Sequence, residues 1–386
     1  MGKKSGENLR KSSAHNRGLV LQLAATGEAV TRIELARQTG LTKMTISNIV
    51  SEFLEKGLLE ECEEKLTQNC GRNPICLKVS GLAPKIVGLL IFRSRLETVL
   101  CDLRLQILRR ARWDFTELDR ESLISRSCDL IDQVSAGEER ILGIGVASIG
   151  PVNMKEGMIL NPPRFFGISH VPVVEELRKR YPWPVCLDHD SNSAAQAEKL
   201  FGVGKKVQDF LFLEVTDGIG SGIVSNGEVI HNSRGYAPEI GHISIHGDGE
   251  LCSCGNRGCL ELYADANVVS GRLCRELGIR ADFEKLCRMW ERKEVDTALR
   301  KMMEDLSVAL VSAVNLLQPE LIVLGYEAVY LPERYVGYLE ELVNQRKFIR
   351  DGQRTVVKKA YFGTDAQLVG AAANILARVF SGKILV

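Results

Sequence analysis

The chain has 386 residues, 45% of them hydrophobic, and 50 basic against 49 acidic side chains leave a net charge of +1. That length leads us to expect two or three domains, and the near-neutral balance excludes a polycation that coats nucleic acid with its whole surface. The sequence shows no run of 18 apolar residues and no signal peptide, which argues for a cytoplasmic protein with no membrane partner.

In chain order, residues 1–15 read as a disordered basic leader and residues 16–80 as a small helical domain with two strands. Leu19, Val20, Leu23 and Ala24 recur at helical spacing, and Gly27 ends that helix. Thr31 and Glu34 make a capping box for a second helix, which Gly40 closes. Thr42 caps a third helix that runs to Gly57. Ile46, Ile49, Val50, Phe53 and Leu54 form its apolar stripe. Thr42, Lys43, Met44, Thr45, Ser47 and Asn48 lie on or beside its polar side and are the expected DNA contacts.

Charge agrees with that reading. Residues 1–50 carry eight Lys/Arg against three Glu, whereas residues 51–64 carry six Glu against one Lys. The basic portion lies where phosphates would be met. LLEECEE and ICLKV look like the two strands of a wing, with Arg72 in the intervening TQNCGRNP. A guanidinium suits a narrow minor groove. The alternative is a small helical domain for protein contact.

From residue 84 onward, strand-like runs (IVGLLIF, ILGIGVAS, VCLDHD, FLFLEVT, ELIVLG) alternate with helical segments, as in an α/β protein. In EIGHISIHGDGELCSCGNRGCLE, His242, Cys252, Cys254 and Cys259 offer the donor set of a closed, four-coordinate structural Zn²⁺, one per chain. Gly255 and Gly258 allow the tight turns this needs. The alternative is three buried thiols and an unrelated histidine. The eight other cysteines should stay reduced in the cytoplasm.

EIGH followed by CSCGNRGCLE resembles the signature of the ROK family of repressors, open-reading-frame proteins and sugar kinases. GVASIGPVN, DHDSNSAAQAE, DGIGSGIVSNGEVI and GTDAQLVGAAA add to that resemblance. It implies a winged helix-turn-helix followed by a two-lobed actin-like (ribonuclease H-like) α/β domain. The first lobe would span 84–195, completed by a final helix at 366–380. The second would span 196–365, with the zinc loop and a dimerisation surface. Dimers or tetramers are implied, as is a sugar or sugar phosphate bound between the lobes. The same resemblance assigns Glu239, His242 and Glu261 to sugar hydroxyls, with one ring nitrogen of His242 for the metal and one for the sugar. Asp190 stands at the kinases' catalytic base, His189 where the family usually has Asn, and Asn161 at a further sugar contact.

Kinase activity would need a phosphate loop near the start of the domain. There Leu90 replaces its Asp, and Phe92 and Arg93 replace two glycines. After the C-terminal strand, Tyr326 and Glu327 follow Gly325 where a Gly-Gly pair is usual. The reading is therefore a non-enzymatic, double-stranded operator-binding regulator of carbohydrate genes. A sugar kinase is the alternative class, and a constitutive DNA-binding protein with a vestigial site, or one released by a protein partner, is a third.

Overall fold

A computed structural model of the protein describes residues 9–62, 75–350 and 352–386. Arg72 and the rest of residues 63–74 lie outside them, so the expected minor-groove contact has no structural description.

The first three helices are α1 (Leu9–Thr26), α2 (Arg32–Thr39) and α3 (Lys43–Glu55), and the strands β1 (Leu59–Cys62) and β2 (Cys76–Val79) pair antiparallel behind them. Their boundaries follow local chemistry. The Thr31 side chain accepts from the Glu34 N–H while the Glu34 carboxylate accepts from the Thr31 N–H. Gly40 ends α2 at φ 69°, a left-handed conformation that favours glycine. The Thr42 hydroxyl accepts from the Thr45 N–H at 3.1 Å. Ile46, Ile49, Val50 and Phe53 are buried as the stripe predicts, and Leu54 is half-buried.

The expected leader over 1–15 is helical from Leu9 onward. The cause is packing against the end of the chain. A Cβ on Gly18 would lie 2.2 Å from the Phe380 carbonyl oxygen, and one on Gly382 would lie 2.6 Å from the Ala14 carbonyl carbon. Two glycines thus let α1 meet the last turn of the C-terminal helix almost backbone to backbone. Arg17 also bonds the Glu52 carboxylate on α3 at 2.8 Å.

Next come β3 (Lys85–Ile91), β4 (Arg95–Cys101), β5 (Ile107–Asp114), α4 (Arg120–Ser135), β6 (Ile141–Ser148), β7 (Val152–Asn153), β8 (Met158–Ile159), α5 (Val173–Arg180), β9 (Val185–His189) and α6 (Asp190–Leu200). The remaining elements are β10 (Phe210–Thr216), β11 (Gly218–Ser225), β12 (Glu228–Val229), α7 (Glu261–Ala264), α8 (Ala266–Leu277), α9 (Phe283–Arg288), α10 (Lys293–Leu317), β13 (Leu321–Tyr326), α11 (Glu333–Arg346), β14 (Val356–Lys359) and α12 (Ala366–Phe380). Two mixed five-stranded sheets result, ordered β5-β4-β3-β6-β9 and β12-β11-β10-β13-β14. Each is an antiparallel three-strand meander extended beside its first strand, so one topology occurs twice. Such repetition is the actin-like α/β architecture.

The residues form two compact units. The first holds the chain up to Val146 with Val174–Cys186 and Ala371–Val386, and the second holds Ala147–Val173 and Leu187–Gly370. This shifts the expected division. Residues 147–173 and 187–195 were assigned to the first lobe, but they pack in the second unit. Glycines explain part of it. A Cβ on Gly220 or Gly222 of β11 would fall 2.2 or 2.5 Å from Ser191 atoms, so α6 lies directly on that strand. Gly220 and Gly222 of DGIGSG are therefore packing elements. Gly325 is another, because a Cβ there would sit 2.0 Å from the Phe212 ring.

Candidate functional site

The four sulfur and nitrogen donors come together in the second unit. Between β12 and α7 the chain turns through a short 3₁₀ segment, Ile240–His242, and then doubles back on itself. Backbone bonds Ile245 to Gly258, Gly258 to Glu250 and Cys252 to Asn256 close the fold-back. Gly258 adopts φ 66°, and a Cβ on it would lie 1.8 Å from the His246 carbonyl, so no other residue fits. The donor atoms of His242, Cys252, Cys254 and Cys259 all lie within 4.8 Å of one another. Cys254 Sγ is 3.7 Å from Cys259 Sγ, and Cys252 Sγ is 3.7 Å from His242 Nδ1. A tetrahedral ion with arms of about 2.3 Å needs edges of about 3.8 Å, so the cluster fits a metal ion. Burial pushes the Cys259 thiol up to about 12. Binding a cation must therefore release thiol protons.

Glu261, at the start of α7, lies on the rim of this cluster. Its carboxylate is 3.2 Å from Cys252 Sγ and 3.6 Å from His242 Nδ1. His242 thus turns Nδ1 toward the thiols, as a ligand that shares its ring between two partners would.

A second cluster lies at the junction of β9 and α6. His189 caps α6, and its Nδ1 is 2.9 Å from the Asp190 carboxylate. Ser191 donates its N–H to Asp190 at 2.7 Å and its hydroxyl to Glu214 at 2.8 Å. The Asp188 carboxylate accepts from the His189 N–H and meets His231 Nε2 at 2.7 Å. Glu239 joins through the Gly150–Pro151 turn. A Cβ on Gly150 would lie 2.5 Å from His189 Nε2 and 3.4 Å from Glu239 Oε1, so both side chains converge on the bare face of that glycine. Of the expected sugar contacts, Glu239, His189 and Asp190 are brought together here, while His242 and Glu261 share the adjoining metal loop. Asn161 stands apart. Leu160 donates its N–H to the Pro151 carbonyl, but the Asn161 side chain is exposed and makes none of these contacts.

Glu214, Asp188, Ser191 and His231 were not anticipated. Glu214 left a signal, a lone charge inside the apolar run FLFLEVT, on a strand buried at every position. Burial, and then the neighbouring Asp190, raise its carboxyl to about 8. Burial works against the charged His189, but Asp190, Glu239 and Glu214 outweigh it and lift the imidazole to about 9. Both folded-state values exceed the ordinary ones, so both groups stabilise the fold below those ordinary values and lose that contribution as pH rises through about 8–9. The melting midpoint should fall between about pH 4.5 and 9, and Glu214→Gln should flatten the lower part of that decline. A wild-type midpoint that stays constant to pH 9 in a calorimetric series would contradict this assignment.

On α3, Lys43, Met44 and Asn48 are exposed, and Met44 is 71% exposed. Ser47 is half-buried. The Thr42 and Thr45 hydroxyls lie 2.9 Å apart, so their first partner is each other.

Comparison with known proteins matches the ROK family model over residues 87–378. A xylose repressor of Caldicellulosiruptor bescii is 25% identical over 389 aligned residues, covering 95% of this chain and 96% of its own length. A crystal structure of a ROK family transcriptional regulator, a homologue of the E. coli Mlc protein, superposes with a TM-score of 0.82 at 23% identity, covering 97% of this chain and 98% of that one. A ROK glucokinase from Streptomyces griseus, in complex with glucose and AMPPNP, superposes with a TM-score of 0.67 at 22% identity. It covers 98% of its own length but 75% of this chain.

Proposed function

The chain belongs to the ROK family, and from that premise we propose that it is a DNA-binding transcriptional repressor of carbohydrate-utilisation genes whose hold on its operator is set by a sugar. One observation carries this reading. A module of three helices and a two-stranded sheet precedes the family domain, and its third helix presents Lys43, Met44 and Asn48 to solvent. We read the module as a winged helix-turn-helix with α3 in the major groove. The xylose repressor aligns through this segment as well.

The family's enzymatic alternative fails at the hairpin between β3 and β4. Leu90 is 1% exposed there, and Phe92 is buried with the Arg95 guanidinium 4.5 Å over its ring. A phosphate loop needs bare backbone N–H groups facing the anion. Here a ring and a guanidinium fill that space, so the chain is a regulator and not a kinase.

The sugar site is read as Glu239, Glu261, Asp190, His189 and His242, with Asn161 at its edge. Carboxylates accept the protons of vicinal hydroxyls. They also repel phosphate, which favours a free, neutral sugar over its phosphate ester. The metal is read as Zn²⁺, which suits three thiolates and an imidazole. No helix among the described residues is long and apolar enough to cross a membrane, which accords with a cytoplasmic repressor. A homodimer would place two copies of α3 on one palindromic site.

The test is a duplex selected from a random-sequence library, titrated against xylose, glucose, N-acetylglucosamine and their phosphates. Addition of one free sugar should change the affinity, since a ligand acts only through its different affinities for the two states. On the same duplex Asn48→Ala should cost about 1–3 kcal/mol and relax one base pair. Arg72→Ala should weaken A·T-rich flanks most. Failure to select any duplex, or unchanged affinity in both variants, would refute the placement.

A further inference from the structure

Strands β1 and β2 each carry a cysteine at the same rung. Cys62 stands opposite Cys76 in the register, and neither is in a disulfide. The kind of rung follows from its neighbours. Ser80 donates its N–H to the Leu58 carbonyl at 3.0 Å, whereas Leu77 turns its N–H away from β1 to the Val30 carbonyl at 2.7 Å. Hydrogen-bonded and non-hydrogen-bonded pairs alternate along an antiparallel ladder. Counting from Leu58 and Ser80, the Cys62–Cys76 rung is of the hydrogen-bonded kind. Its Cα atoms are then about 5.5 Å apart, inside the window of about 4.4–6.8 Å that a disulfide spans. Directly opposed residues also point to one face of the sheet.

We propose that Cys62 and Cys76 are a redox pair, oxidised to a disulfide by a peroxide, and that closing this bond lowers the affinity of the protein for its operator. The second half rests on the winged helix-turn-helix reading; the first does not. The pair is unequal in a useful way. Cys62 is half-buried and reachable, while Cys76 is 1% exposed. Lys78, ion-paired to Glu60 at 3.0 Å, lies diagonally across from Cys62 on the same face.

The chemistry balances with the peroxide as oxidant. The Cys62 thiolate attacks one peroxide oxygen, an S–O bond forms and the O–O bond breaks. The departing hydroxide takes a proton and leaves as water. Cys76 sulfur then attacks the Cys62 sulfenic acid, the S–S bond forms, and the displaced hydroxide takes the Cys76 proton as a second water. Two electrons pass from the two sulfurs to the peroxide.

Mechanical coupling explains the effect on DNA. Opposed Cβ atoms on such strands lie about 4.5–5.5 Å apart, and a disulfide holds them near about 3.8 Å. Bonding therefore draws β1 and β2 together at this rung. Cys76 also bridges to Thr31, the N-cap of α2, so the strain reaches the base of the helix pair. In sequence the two cysteines enclose Arg72.

The experiment treats the full-length zinc-loaded protein with hydrogen peroxide and maps its peptides by mass spectrometry. In parallel it measures affinity for a duplex selected with the reduced protein. The expected result is a Cys62–Cys76 linked peptide ahead of any other cysteine pair, an affinity loss of about tenfold, and recovery with dithiothreitol. Cys62→Ser should keep its affinity under peroxide, and Cys70→Ser should behave as wild type, which separates the pair from the third cysteine between the strands. Cys76→Ala gives a second route should Cys62→Ser fold poorly. The proposal is overturned if the linked peptide does not form while other thiols oxidise, if it forms with affinity unchanged, or if the Cys62→Ser protein loses affinity like wild type. Should the reduced protein select no duplex at all, the winged-helix reading fails, and the peptide map alone then decides the pair.

Discussion

Cys259→Ser protein should lose its metal and, with it, its response to sugar. A closed structural site of four ligands is worth about 10–16 kcal/mol in apparent binding free energy. One ligand of four therefore accounts for roughly 3 kcal/mol, about two powers of ten in metal affinity. Cys259 is fully buried and sits next to Leu260, which is also fully buried, and Glu261 follows on the rim. Loosening the cluster must then displace a carboxylate that we assign to the ligand. Metal analysis after dialysis should show far less than one equivalent in the variant against one in the wild type. Isothermal titration with the responsive sugar should show weakened binding. A variant that retains both a full equivalent of metal and its response would remove the zinc loop from the account.

The second large effect concerns Glu239. On the sugar site we propose, Glu239→Ala would leave sugar hydroxyls without an acceptor, and a lost charged hydrogen bond is worth about 1.5–3 kcal/mol. Affinity for the sugar should fall tenfold to a hundredfold, while DNA affinity without sugar should barely change. The variant should behave in a reporter strain as a repressor that ignores its inducer. Asp190→Asn should act similarly, although its cost will be mixed with stability, because Asp190 is buried and paired with His189. If a sugar inducer is found and Glu239→Ala responds to it at wild-type concentrations, the effector binds elsewhere.

What could be read from the residues divides by how local the cause was. The capping box of Thr31 and Glu34 and the left-handed Gly40 involve neighbours in sequence, so pattern and structure agree. The same holds for the strands Ile141–Ser148 and Phe210–Thr216, which are largely apolar runs. The gathering of His242, Cys252, Cys254 and Cys259, which could hold a metal ion, was legible because thiol chemistry marks itself. Non-local causes were not legible. Nothing near Leu9 announces a helix, since its support comes from Phe380 and Gly382 at the other end of the chain. The start of α6 at Asp190 was hidden for a different reason. VCLDHD reads as a strand through Asp190, and only the seat of Ser191 on Gly220 and Gly222 shows that a helix takes over there at once. Asn161 was placed by resemblance alone, and it is the assigned residue that stays outside the cluster.

The meeting of α1 with the last turn of α12 has a consequence for how the protein is made. Residues up to Val146 leave the ribosome well before the segment Ala371–Val386 that completes their unit. At about 5–20 residues per second, synthesis of the intervening stretch takes roughly ten seconds or more. During that interval the small face of α1 around Ala14 and Gly18 has no partner. A nascent or truncated chain that stops before Ala371 thus carries α2 and α3 without the surface that seats α1. Operator occupancy then reports on finished molecules, and late nonsense mutations should be as damaging to repression as lesions in α3 itself.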